Sequence, residues 1–225
     1  MFFATYMQRR DPYSNRLLFE VYDSNKELVS EAVKDENGAT CLRYEGNVYA
    51  FPFTVKRIET AAFEFEYPIP SRKSSKLGYQ IKKNDDVVAE YYGETAIVEK
   101  RTLFSRKMGF EVYRYNGEIY YVVKVGLPEG LSHFYCLIDA EAKRTVGVVE
   151  RLQANPENAR ARILLQDPDY TELALLVMAS ATIMNVTSNA EGQIIDPSAG
   201  KYISLCKEER RFLDEGFIRE ALRQV

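Results

Sequence analysis

The first 165 residues alternate between apolar and polar positions in short runs, the pattern that predicts β-strands. Leu17 and Val21 fall on one face of a predicted strand and Glu20 falls on the other. The clearest hairpin runs from Phe110 to Val125, where Asn116-Gly117 supplies the residues that best tolerate a type I′ turn. Similar hairpins predict about a dozen antiparallel strands. Because open strand edges promote aggregation, so many strands are expected to close into a barrel or to fold into a sandwich.

A different pattern begins at Asp167, where apolar residues cover every side of a predicted helix. Asp167 can cap this helix and Pro168 suits its first position. Leu173 to Val186 then contains only three polar residues. At 1.5 Å per residue this segment is about 21 Å long, whereas a bilayer core of about 30 Å needs roughly 20 apolar residues. We therefore predict a helix, about residues 168-187, that is buried in the core and is not a transmembrane segment.

The final segment, residues 207-225, predicts an amphipathic helix. Phe212, Phe217, Ile218 and Leu222 form one apolar stripe, and charged residues occupy the other faces. The stripe needs a surface that covers it, either the protein's own barrel or a partner. Protein interaction or self-association through residues 207-225 is therefore the alternative function.

Composition favours one globular domain in a reducing compartment. Apolar residues make up 46% and charged residues 28% of the 225, proportions typical of folded rather than disordered chains. Cys41, Cys136 and Cys206 are odd in number and lack C-x-x-C spacing, which argues against a disulfide framework and a zinc site. A net charge of −3 lacks the basic excess of nucleic-acid-binding proteins. At the N-terminus the apolar run precedes the basic residues, the reverse of a secretory signal. We expect a cytoplasmic protein with one domain at 1-190 and a loop and helix at 191-225.

The order of hairpins and helix resembles the tubby-like superfamily, which includes the tubby C-terminal domain, plant LURP-one-related proteins and phospholipid scramblases; we expect a bacterial-type member. The resemblance covers roughly Lys76 to Asn189. Its segments are Lys100 to Ser105, the arms Phe110 to Tyr113 and Ile119 to Val123 about Asn116-Gly117, and the helix Asp167 to Asn185. It implies a closed antiparallel barrel of about a dozen strands around the central hydrophobic helix, plus the C-terminal amphipathic helix. Tubby domains bind phosphoinositide head groups, so the resemblance also implies an anionic ligand. The chain departs from the family by continuing well past the core helix.

The common catalytic motifs are missing from the sequence. It has no G-x-S-x-G elbow, no P-loop and no G-x-G-x-x-G. His133 is the only histidine, which excludes a multi-histidine metal centre and leaves one candidate general base at the start of a strand. The carboxylate pairs lie in predicted turns or at a helix start, where solvation and the helix dipole explain them: Asp35-Glu36, Asp85-Asp86 and Glu208-Glu209. We predict a non-enzymatic protein with no catalytic residue, no metal and no cofactor.

A basic central segment supplies the candidate binding residues. Residues 71-166 carry 16 basic and 12 acidic side chains, between more acidic flanks. Basic side chains bind phosphate oxygens through charge and, for arginine, through bidentate hydrogen bonds. We predict a binding or regulatory module for an anionic small molecule or a membrane-surface head group, although the interspersed acidic residues also fit a mixed, solubilising surface. The candidate ligand-binding residues are Arg72, Lys73, Lys76, Lys82, Lys83, Lys100, Arg101, Arg106 and Lys107.

Overall fold

The structure of the chain is a computed structural model, and it is mostly β. It describes residues 2-10, 17-34, 40-51, 55-59, 75-100, 105-126, 133-151, 160-185, 187-188, 194-195, 203-204 and 214-223. The strands before the central helix are β1 (Phe2–Arg10), β2 (Leu17–Asp23), β3 (Leu28–Lys34), β4 (Thr40–Tyr44), β5 (Asn47–Phe51), β6 (Val55–Glu59), β7 (Ser75–Lys83), β8 (Asp86–Lys100), β9 (Ser105–Tyr115), β10 (Glu118–Gly126), β11 (His133–Asp139), β12 (Arg144–Arg151) and β13 (Arg160–Leu165). The remaining elements are a 3₁₀ helix (Pro168–Tyr170), α1 (Thr171–Asn185), β14 (Thr187–Ser188), β15 (Ile194–Ile195), β16 (Ile203–Ser204) and α2 (Glu215–Arg223).

Eleven strands form one continuous antiparallel sheet in the order β13-β12-β11-β10-β9-β8-β7-β5-β4-β3-β2. The N-terminal strands β2 to β5 thus belong to the same sheet as the later ones. β6 pairs with β7 at the side of this sheet, and β16 lies parallel to the end of β10. β14 and β15 make a separate two-stranded sheet. β1 pairs antiparallel with both β2 and β13.

The closed barrel predicted from the hairpins and from the family resemblance is wrong: the eleven-strand sheet does not close on itself. Its end strands, β2 and β13, do not pair with each other among the described residues, and β1 lies between them. A hairpin turn specifies only the two strands that it joins. Closure depends instead on the tilt and stagger of all the strands together, for which the sequence carries no local signal. The description that holds is a mainly β protein built on one large sheet.

α1 packs on one face of this sheet. Each of the eleven strands contributes at least one buried residue to the core cluster that contains Leu173 to Ala179. All residues from 173 to 180 are buried, so this part of α1 has no exposed side. The Asp167 side chain caps the 3₁₀ helix by accepting a hydrogen bond from the Asp169 amide at 3.0 Å. The predicted helix at 168-187 is therefore a 3₁₀ turn followed by an α-helix that ends at Asn185.

α2 covers part of the opposite face of the sheet. The Asp214 amide donates a hydrogen bond to Thr145 Oγ1 of β12 at 2.9 Å, and Phe217 and Ile218 of α2 are buried. Thr145 and Cys136 are also fully buried but do not belong to the core around α1. The C-terminal helix therefore rests on the protein's own sheet. The predicted helix begins at 207, and residues 205-213 lie outside the described part of the chain.

No helix in the described part of the chain combines the length and the apolarity that crossing a membrane requires.

Candidate functional site

Five hairpin turns and the start of α1 lie together at one end of the sheet. In an antiparallel sheet each strand runs opposite to its neighbour, so every second turn lies at the same end of the sheet. Hydrogen bonds join neighbouring turns here, including Asn84 N to Val48 O at 3.1 Å and Ala140 N to Ile119 O at 3.0 Å. We define the turn end as residues 23-27, 44-47, 83-86, 115-118, 139-144 and 166-172. Its turns contain the residues with positive φ, which are Lys26, Glu45, Gly46, Asn84, Asp85, Asn116, Gly117 and Lys143.

The turn end is strongly acidic. It contains 11 acidic and 4 basic side chains, a formal charge of −7, whereas the whole chain carries −3. A concave region lined by one sign of charge raises the local concentration of counter-ions. The turn end therefore attracts cations.

Two adjoining cavities open at the turn end. The larger has a volume of about 780 Å³ and is lined by β3, by the β4–β5 turn and by the start of α1. The smaller, about 360 Å³, lies beside the β9–β10 turn, and both cavities are lined by Tyr115 and Asp169. The carboxylates that line them are Glu45 and Glu172 in the larger, Glu118 and Asp167 in the smaller, and Asp169 in both.

Glu172 lines the larger cavity and forms an ion pair with a lysine beside it. It lies in the first turn of α1, and its Oε2 is 3.7 Å from the Lys83 ammonium. Lys83 lies at the end of β7 opposite Tyr49 of β5, and its Nζ is 5.3 Å from the centroid of the Tyr49 ring. A carboxylate and an aromatic face thus hold one alkylammonium group between them. The Lys83 and Glu172 side chains are 30% and 22% exposed, so water only partly screens this ion pair.

Three tyrosines surround Glu172, and one of them has an unsatisfied hydroxyl. Tyr49 is fully buried and no group satisfies hydrogen-bond geometry to its hydroxyl oxygen. Burial, and then the Glu172 carboxylate, raises the pKa of Tyr49 and of Tyr115 well above the usual tyrosine value. Burial, and then Glu45, raises the pKa of Tyr44 to about 12. All three phenols are protonated at neutral pH, and the Tyr49 hydroxyl, which has no exposed surface, lies near the Glu172 carboxylate.

The smaller cavity repeats the combination of aromatic rings and carboxylates. The Tyr120 hydroxyl donates a hydrogen bond to Glu118 Oε2, and burial followed by this carboxylate raises the pKa of Tyr120. The Tyr170 ring meets the Tyr120 ring edge-on, with centroids 6.2 Å apart. Asp167 contributes its capping carboxylate to the same wall.

The described basic residues among the predicted set lie in different parts of the sheet and do not gather around this site. Lys82 and Lys83 lie at the turn end of β7, where Lys83 pairs with Glu172. Lys100 lies at the far end of β8, a strand of 15 residues that spans about 45 Å at 3.3 Å per residue. Arg106 and Lys107 of β9 pair with Glu99 and Ile97 beside it, and Lys76 pairs with Ile58 of β6. Arg72, Lys73 and Arg101 lie outside the described residues. The anionic-ligand role of these nine residues stays a prediction.

The other candidates from the sequence lie away from the turn end. His133 begins β11, where it pairs with Gly126 of β10 and Arg151 of β12. The described part of the chain contains no cluster of three or more His, Cys, Asp or Glu residues suited to a metal ion. Phe217 and Ile218, which the sequence assigns to a possible partner surface, are buried in the protein itself.

Sequence reasoning missed the tyrosines and Glu172 as a site. It assigned each acidic residue to its own turn or cap and so did not add their charges. The missing step is geometric, since alternate hairpin turns of an antiparallel sheet lie at the same end. Adding the charges of the residues in those turns would have shown that this end of the sheet is acidic.

The tubby-like resemblance stays a prediction. Comparison with family models, with curated proteins and with solved structures finds no match to this chain.

Proposed function

We propose that the protein is a non-enzymatic binding module that takes a cationic amine in the larger cavity of the turn end. The observation that carries the proposal is the Lys83 ammonium, which lies between the Glu172 carboxylate and the Tyr49 ring. An alkylammonium group of a ligand needs the same two kinds of partner, a carboxylate and an aromatic ring. A cation over an aromatic ring contributes about 0.5 to 2 kcal/mol, with the larger value in a dehydrated site.

Two further features support an amine rather than an anion. The turn end carries −7, so it repels phosphates and carboxylates and speeds the approach of cations. The larger cavity is lined by three carboxylates, Glu45, Asp169 and Glu172, beside the side chains of Tyr44 and Tyr115. Carboxylate oxygens accept hydrogen bonds from an ammonium group, which makes these bonds charge-assisted.

The test is a titration of the protein with n-pentylamine, followed by amide chemical shifts and by melting temperature. We expect saturable shifts at residues 44-49, 83 and 172, and weaker binding as salt concentration rises. Glu172→Gln should weaken binding by about tenfold, equivalent to about 1.4 kcal/mol. Glu141→Gln is the matched control, because Glu141 lies at the turn end but does not line either cavity. Tighter binding of inorganic phosphate than of the amine would refute the proposal.

A second candidate function is the predicted recognition of an anionic head group, at the opposite end of the sheet. It is favoured by the register of β8 and β9, in which Arg106 pairs with Glu99, the neighbour of Lys100. Sedimentation with phosphoinositide-containing vesicles tests it. Binding that Lys100→Glu with Arg101→Glu abolishes would support it, and equal sedimentation with neutral vesicles would reject it.

A further inference from the structure

We infer that residues 214-223, which are Asp214 and α2, form a strap that opens and closes on the sheet as one unit, with Asp214 as its latch. When closed, the strap shields the Thr145 hydroxyl and the Cys136 thiol on the sheet face opposite α1. A chain of contacts joins these three residues. None of them lines either cavity of the turn end.

Asp214 both begins α2 and attaches it to the sheet. Its Oδ1 accepts a hydrogen bond from the Phe217 amide at 2.9 Å, and its carbonyl oxygen accepts one from the Ile218 amide at 3.0 Å. These are the bonds of a helix N-cap. The Asp214 amide itself donates to Thr145 Oγ1 of β12 at 2.9 Å. Helix formation and attachment depend on the same residue, so they are gained and lost together.

α2 is too short to persist as a helix once it leaves the sheet. It has nine residues, and isolated helices shorter than about 12 to 15 residues are marginal in water. Gly216 in its first turn lowers the helix propensity further. Phe217 and Ile218 are its described buried side chains, whereas in α1 every residue from 173 to 180 is buried. The strap is therefore held less firmly than α1 and can open while the sheet stays folded.

A row of buried residues lies on the sheet face that carries the strap. Its members are register partners across β10 to β13, namely Val123, Cys136, Val148 and Leu164. All four are at most 2% exposed, and none belongs to the core around α1. Cys136 Sγ lies 3.5 Å from Thr145 Oγ1, the atom that accepts the Asp214 amide. Opening the strap removes this cover from the thiol.

The closed strap keeps the Cys136 thiol unreactive. Burial raises its pKa to about 12, while the Thr145 hydroxyl lowers the pKa and the nearby Asp214 charge raises it. A thiol attacks a disulfide reagent as the thiolate, so this group needs both access to water and a lower pKa before it reacts. In the open state its pKa returns towards the ordinary cysteine value of about 8.5. Thiol reactivity therefore reports the opening of the strap.

Labelling of Cys136 with dithiobis(nitrobenzoate) tests the strap in the whole chain. Cys41→Ser with Cys206→Ser leaves one thiol, whose thiolate forms a mixed disulfide and releases one thionitrobenzoate anion. We expect a labelling rate nearly independent of urea well below the unfolding transition, because opening the strap exposes little surface. Asp214→Ala should raise the rate about tenfold through loss of the cap. Glu220→Ala removes another exposed carboxylate of the strap and is the matched control, with an expected change below about twofold.

Hydrogen exchange of the unsubstituted chain gives a second readout that does not depend on any variant. The Phe217 and Ile218 amides should be less protected than the amides of β11 and β12. Equal protection in the strap and in these strands would overturn the inference, as would Cys136 labelling with the full urea dependence of global unfolding. Equal labelling rates for Asp214→Ala and Glu220→Ala would show that Asp214 is not the latch. Circular dichroism checks that each variant keeps its sheet.

Discussion

At the scale of single residues, Glu172 links the central helix to the cavities. Its carboxylate lies in the first turn of α1, where a negative charge interacts favourably with the helix dipole. The same carboxylate pairs with Lys83 and raises the pKa of the tyrosines beside it. One side chain thus serves the stability of the helix and the electrostatics of the site. The neighbouring Tyr49 is different, because its hydroxyl contributes no hydrogen bond to the folded state.

Tyr49→Phe should therefore change stability without changing binding. Removing a buried, unpaired hydroxyl should leave the free energy of unfolding unchanged or raise it by about 1 kcal/mol. The same change should leave amine binding unchanged, because the hydroxyl has no exposed surface. Urea unfolding and the n-pentylamine titration measure the two effects. A loss of more than 1 kcal/mol in stability would show that the hydroxyl has a partner in the folded protein.

At the scale of elements, α1 is apolar on all sides because every strand of the eleven-strand sheet packs against the same core. Leu176 and Ala179 are 0% and 2% exposed. Leu176→Asp would bury an unpaired carboxylate, at a cost of several kcal/mol that is comparable to the stability of a whole domain. We expect this variant to unfold, and Ala179→Arg to do the same. Circular dichroism would report the loss of β-structure, and an unchanged melting temperature would contradict the burial of α1.

β12 and β13 approach each other closely at Gly147. A Cβ atom at this position would lie 2.6 Å from Leu165 Cδ2, whereas a Cβ atom at Gly93 meets nothing within 4 Å. Gly147→Ala should therefore destabilise the protein by about 1 to 3 kcal/mol through overpacking. Gly93→Ala is the matched control, and we expect it to be neutral or slightly stabilising. Urea unfolding compares the two, and equal midpoints would mean that Leu165 moves aside without cost.

The sequence predicts a turn or a helix start correctly where the residues that specify it are neighbours in the chain. Asn116 and Gly117 both have positive φ, as a type I′ turn requires, and the hairpin of β9 and β10 is confirmed. Asp167 and Pro168 likewise mark the true start of the helical segment. The closed barrel was wrong because the pairing at the ends of a sheet depends on residues far apart in the chain. The cavities were missed for the same reason, since Tyr44, Tyr115 and Glu172 come from three separate elements.

At the scale of the whole molecule, buried tyrosines make stability sensitive to alkaline pH. Burial raises the pKa of six described tyrosines, to about 12 for Tyr44 and further for Tyr49, Tyr91, Tyr113, Tyr115 and Tyr120. Burial also raises the pKa of the Cys136 thiol to about 12. In each case the folded state holds its proton to a higher pH than the unfolded state. The resulting stability is complete below the unfolded pKa values, about 8.5 for cysteine and 10 for tyrosine, and decreases as pH rises above them.

We therefore expect the urea midpoint to be constant between about pH 7 and 8 and to fall steeply above about pH 10. The phenolate absorbance of these six tyrosines should rise together with the loss of β-structure, because they ionise only on unfolding. Ionisation of all 16 tyrosines near pH 10 in a protein that stays folded would contradict this account.

The acidic turn end also gives the molecule a preferred orientation. The chain carries −3 in total and the turn end −7, so the turn end is more negative than the molecule as a whole. A negatively charged surface therefore repels the turn end and leaves both cavities open to the solvent. A positively charged surface attracts the turn end and would cover both cavities. Weak adsorption, without any specific contact, thus determines whether a ligand can reach the site.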